Sequence, residues 1–132
     1  MGAQFTSLTA LTLLLAGKAV ATEVDYLRDV KPILTQHCVR CHGETKVEAG
    51  LRVDTAAAIR EGGDSGSALR PRDGGESLLL QVITGKHSEI AQMPYKRPAL
   101  EAALVDKLRA WVARGAPAPS DEAPGRFEHW AF

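Results

Sequence analysis

Cys38-Val39-Arg40-Cys41-His42 is the stretch whose reading decides what kind of chain this is. Its spacing is C-x-x-C-H, the pattern for covalent attachment of a c-type haem. Two thiols separated by two residues can each add across a vinyl group at one edge of the porphyrin. The next residue, His42, then stands under the iron, where its imidazole serves as proximal axial ligand. The chain has only these two cysteines, so no other motif competes for them. One covalent haem c is the cofactor this spacing implies.

Working outward to the N-terminus, Phe5 to Ala16 is apolar or hydroxylic around Leu13-Leu14-Leu15, and Ala19-Val20-Ala21 follows as a small-x-small cleavage site. Residues 1–21 therefore read as a secretory signal peptide, although no Lys or Arg precedes the apolar run. The run is shorter than the ~20 residues needed to cross a bilayer, so no membrane span is expected after cleavage. Export to the periplasm or cell envelope follows. Without residues 1–21 the chain carries 15 basic and 16 acidic side chains, because only Lys18 is lost. That balance offers no basic patch for nucleic acid and no polybasic membrane signal. A domain of this size buries a limited core, and a buried haem would add apolar mass.

Taken in order, Val24, Leu27, Val30 and Ile33/Leu34 recur at helical spacing, with Pro32 inside the pattern. A short turn around Asp25 to Val30 and a second helical piece from near Pro32 are expected. Glu44 to Gly50 reads as loop and Leu51 to Asp54 as extended. A brief helix capped by Asp54 or Thr55 runs to Arg60 and stops at Gly62-Gly63. Asp64 to Gly75 is loop, and Glu76 to Thr84 is a buried helix ended by Gly85. Lys86 to Leu100 is a loop holding Met93-Pro94. Glu101 to Arg114 is the clearest helix, with Leu104, Val105, Leu108, Trp111 and Val112 on one stripe and Gly115 as its stop. Ala116 to Arg126 has no helical periodicity, and Phe127 to Phe132 is aromatic. The expected organisation is a signal at 1–21, an all-α cytochrome c-like haem domain at 22–117 wrapped around its cofactor, and a linker at 118–132 that begins a following segment.

A sixth ligand opposite His42 is the next requirement. Outside the signal Met93 is the one methionine, and a thioether ligand favours electron transfer by raising the reduction potential. His87, in the same loop, is the imidazole alternative. His37 precedes Cys38 and is expected to point away from the distal face. His129 reads as structural or exposed, and an open site would favour gas binding. Arg40, Arg52, Arg70, Tyr95 and Trp111 are donors suited to the haem propionates, with Arg52 preferred.

Several stretches then fall into a known order: Val30-Lys31-Pro32-Ile33-Leu34, Cys38 to Gly43, Gly50 to Thr55, Ser77-Leu78-Leu79, Met93-Pro94 and Trp111 to Pro117. This series resembles the planctomycete-type cytochrome c domain, a haem module at the head of longer secreted proteins. The resemblance implies Cys38 and Cys41 as thioether sites, His42 as proximal ligand and Met93 as distal ligand. It also implies a junction to a downstream domain at His129 to Phe132. Two positions depart from it: Tyr95 stands where a second proline is usual, and Glu101 replaces a hydroxyl cap.

The function expected is one-electron transfer to redox partner proteins rather than catalysis. Rival readings are a haem module feeding a catalytic domain, a redox sensor with a displaceable Met93, and a thiol–disulfide oxidoreductase. The last lacks a βαβ pattern around the motif. A zinc site lacks a second cysteine pair.

Overall fold

In the computed structural model, residues 1–2, 23–70 and 77–127 are described. The signal expected at 1–21 lies outside them apart from its first two residues, as does His129 to Phe132. Every regular element among the described residues is helical: α1 (Lys31–His37), α2 (Ala56–Glu61), α3 (Leu78–Ile83) and α4 (Ala102–Ala113), with a π-helical turn at Tyr26–Val30 and a 3-10 turn at Glu48–Gly50, inside the stretch expected to be loop. Two isolated bridges, His42 with Val47 and Gly63 with Gly66, are the remaining pairings.

The entry to α1 shows how the chain deals with Pro32. A proline in the first turn removes an N–H that has no helical acceptor anyway. Ahead of it the backbone widens into a single π-helical turn, Tyr26–Val30, in which the Lys31 N–H reaches back to the Tyr26 carbonyl. Asp25 caps that turn by accepting from the Arg28 N–H at 2.8 Å. The turn and α1 bury Tyr26, Val30, Ile33 and Leu34.

Tyr26 stacks on Trp111 of α4, with ring centroids 5.3 Å apart. The stripe read from the sequence holds: Val105, Leu108, Trp111 and Val112 are buried and Leu104 is half-buried. Ala116 N–H donates to Trp111 O at 3.0 Å and Gly115, at φ 94°, closes the helix in the left-handed region, a turn that suits glycine. Of the two caps expected for α2, Asp54 or Thr55, it is Thr55 that serves, its hydroxyl accepting from Ala58 N–H at 3.1 Å. α3 packs Leu79, Leu80 and Ile83 into the same core and lies against α4. Its Ser77 is buried but does not cap the helix; the hydroxyl donates to Ala68 O at 2.8 Å. Glu101, likewise, makes no side-chain cap for α4.

The segment after α4 has no helix, as its sequence suggested, yet it is fastened to the domain as a strap. Glu122 accepts from Lys31 Nζ at 2.8 Å and also from the Ala56 N–H at the start of α2. Arg60 donates to Ala116 O. Gly125 N–H donates to Asp54 O at 2.8 Å, and Phe127 packs at the rim of the core.

Candidate functional site

α1 delivers the motif. Beyond its last turn the chain winds tightly, with Cys38 N–H donating to Leu34 O at 2.9 Å and His42 N–H to Cys38 O at 3.0 Å. The following stretch then wraps the motif from outside. Glu48 N–H donates to Cys41 O at 3.0 Å and Val53 N–H to His42 O at 2.8 Å. Gly43 is required here by close approach: a Cβ would fall 2.5 Å from the buried Val39 carbonyl oxygen.

The orientation of His42 is the most informative feature. Its Nδ1 lies 3.1 Å from Glu48 O and 3.3 Å from Leu51 O. Carbonyl oxygens only accept, so Nδ1 carries the ring proton and Nε2 keeps its lone pair. This is the arrangement in which a histidine is held ready as a metal ligand. His87 is set the other way. Its Nδ1 accepts from the backbone N–H groups of Glu89 and Ile90 at 3.1 and 3.0 Å, which leaves Nε2 protonated. His87 also lines neither of the cavities described next, so the imidazole alternative to Met93 loses its donor.

Two adjoining cavities meet at His42, Ala49 and Met93. The larger, about 500 Å³, is lined by Cys38, Cys41 and His42 on the motif side and by Met93, Pro94, Tyr95 and Arg97 on the loop side. The smaller, about 80 Å³, continues the space beneath Leu51, Ala68, Leu78, Leu79 and Val82. The larger volume lies within the ~300–1,000 Å³ of cofactor sites. Met93 is held in place by its backbone, whose N–H donates to Val82 O at 2.9 Å. The structure thus brings together Cys38, Cys41, His42 and Met93, and two of the candidate propionate donors, Arg40 and Tyr95, line the larger cavity with them.

Arg52, the preferred propionate donor, lines neither cavity. Its guanidinium donates to Asp54 through Nε at 3.2 Å and also sits 3.7 Å from Glu44. Asp54 is buried, and a buried carboxylate takes its counter-charge from the nearest cation. Trp111 is also committed, since its Nε1 donates to Pro117 O at 2.9 Å. His37, expected to point away from the distal face as a surface or propionate-side group, is among the residues that line the larger cavity. Arg97, which the sequence did not single out, lines it too.

Both cysteines are free thiols. Burial, with the neighbouring Cys41 adding to it, pushes the Cys38 thiol up to about 12. A thiol–disulfide enzyme needs a thiol shifted the other way. Among the described residues no group of three or more His, Cys, Asp and Glu side chains is placed to hold a metal ion, and no helix is long and apolar enough to cross a membrane.

Two thiols and an imidazole with a free Nε2 on one wall, and a thioether on the other, fit a covalent haem by donor chemistry. The arrangement, a small set of helices carrying these donors, is similar to that of a c-type cytochrome domain. The model of the planctomycete cytochrome C family matches residues 38–96, from the first thiol to just beyond Met93, and so shows the resemblance over that stretch. Val30 to Leu34 and Trp111 to Pro117, which carried part of the likeness in the sequence, lie outside the match. No curated protein and no solved structure matches the chain.

Proposed function

We propose that this chain is an exported c-type cytochrome domain that carries single electrons between redox partner proteins. Cys38 and Cys41 would hold the haem through thioether bonds, each S–H adding across a vinyl group with sulfur to one carbon and hydrogen to the other, so that no oxidant is required. His42 and Met93 would supply the two protein ligands of its iron. The observation that carries the reading is the His42 ring, whose Nδ1 faces two backbone carbonyls while the ring lines both cavities with Met93.

When bound, the haem supplies one-electron cycling between ferric and ferrous iron. The carbonyls of Glu48 and Leu51 fix the His42 tautomer and the orientation of its ring. Leu51, Leu78, Leu79 and Val82 keep water from the inner part of the site. Apolar surroundings and a thioether ligand both raise the reduction potential. The signal read at 1–21 and the family's association with secreted proteins support export to the periplasm or cell envelope.

The test is a visible spectrum of protein exported from a host with haem-attachment machinery. A c-type spectrum is expected, with the haem retained after denaturation and the far-red band of methionine–ferric coordination present. Met93→Ala should remove that band and leave the attachment intact. A colourless protein from a competent host would overturn the reading.

A further inference from the structure

We propose that Arg97 is the cation that receives a propionate of the haem, a role that rests on the haem reading above. Haem brings two carboxylates into a cleft that is largely apolar, and a carboxylate in such a place needs a cation or strong donors. The larger cavity is lined by three permanent cations, Arg40, Lys46 and Arg97. Two are already engaged. The Arg40 guanidinium sits 5.9 Å over the Phe127 ring, and Lys46 Nζ is paired with Glu48 at 3.0 Å. Among the described residues the Arg97 side chain makes no hydrogen bond or ion pair. Its neighbour Lys96 lies 5.2 Å over the Tyr95 ring and does not line the cavity.

Placement supports the assignment as much as availability does. Arg40 and Lys46 belong to the wall that carries the thiols, which take the vinyl groups. Arg97 stands on the other wall, on the turn closed by its own N–H to Pro94 O at 3.2 Å, four residues after Met93. A guanidinium binds a carboxylate through two parallel N–H donors, which a lysine cannot do. The salt link would therefore also tie down the turn next to the Met93 ligand. A cation beside the haem disfavours the ferric state, so Arg97 raises the reduction potential.

The experiment uses the exported holoprotein and the variants Arg97→Gln, Arg97→Lys, Arg40→Gln and Lys46→Gln. The readouts are the midpoint potential and the carboxylate bands of the redox-induced infrared difference spectrum. Arg97→Gln should lower the potential and shift a carboxylate band, and Arg97→Lys should restore most of the potential but not the band. Arg40→Gln and Lys46→Gln should leave the band in place. The proposal is overturned if Arg97→Gln leaves both readouts at their wild-type values, or if Lys46→Gln shifts the same band equally. Wild-type protein that carries no haem would overturn the haem reading itself, an outcome visible before any variant is made.

Discussion

Replacing Glu122 by alanine tests whether the strap is a working part of the domain. The Glu122 side chain is only 5% exposed and sits 2.8 Å from Lys31 Nζ, which is itself 18% exposed. It also accepts from the Ala56 N–H, one of the donors that a helix start leaves without an internal partner. Hydrogen bonds to charged groups contribute about 1.5–3 kcal/mol each. Glu122→Ala removes two of them and leaves the Lys31 ammonium partly desolvated. Water can still reach Lys31 and Lys31 also donates to Ala123 O, so the lower end applies and the expected loss is about 3 kcal/mol. Glu122→Gln keeps an acceptor for Ala56 and should lose about 1 kcal/mol. Urea unfolding of the full chain followed by far-ultraviolet circular dichroism reads both. A cycle with Lys31→Met should give a coupling of about 1–2 kcal/mol. If Glu122→Ala stays within about 0.5 kcal/mol of wild type, the value of an ordinary surface change, the strap contributes nothing and the reasoning fails.

Gly43→Ala should destabilise the motif itself, because the new Cβ would meet Val39 O at 2.5 Å and Val39 Cγ1 at 2.8 Å. Overpacking of this kind costs about 1–3 kcal/mol, and relief of the clash would pull His42 from its carbonyl partners; an unchanged melting temperature together with an unchanged yield of attached haem would refute this. Asp29 gives a pH effect. The bond from Arg28, followed by that from the Asp25 N–H, holds its carboxyl at about 2 against an ordinary 3.8. A carboxyl depressed in the folded state stabilises above its unfolded value and loses that contribution as pH falls through its folded value. The melting temperature of the wild type should therefore fall between about pH 4 and pH 2 more steeply than that of Asp29→Asn, and parallel curves would sink the assignment.

The elements that could be read from the sequence are those whose cause is local. The α4 stripe, the Thr55 cap, the Gly115 stop and the tolerance of Pro32 near a helix start each depend on neighbours within a turn. The motif was legible for the same reason. What could not be read depends on backbone or on distant partners. The two carbonyls that orient His42 belong to Glu48 and Leu51, and a carbonyl leaves no mark in a sequence. The strap is anchored by Glu122, whose partners lie 91 and 66 positions away in Lys31 and Ala56, and segments without periodicity give no face to predict. Arg52 is different, because a signal existed. In an extended segment residues two apart share a side, so Asp54 stood beside Arg52 from the start and claims its guanidinium.

The two walls of the cavity are built to different standards, and this bears on what each can do. The motif wall is tied within itself, through Cys38, Cys41 and His42, and again to residues 46–53 that wrap it. The loop wall reaches the core through Met93 N–H on Val82 O at 2.9 Å, with the Gln92 amide on Ile83 O at 3.4 Å as a weak second tie. Met93 itself is only half-buried. Local opening free energy follows the number of protected contacts, so the Met93 side should open before the His42 side. The His42 side is thus held firmly, while the Met93 side depends on the support of one turn. The departure at Tyr95, where a second proline is usual, falls on that turn, and so does Arg97, whose side chain has no partner among the described residues. On the haem reading proposed above, the loop wall is therefore where changes in sequence would alter redox behaviour without disturbing attachment.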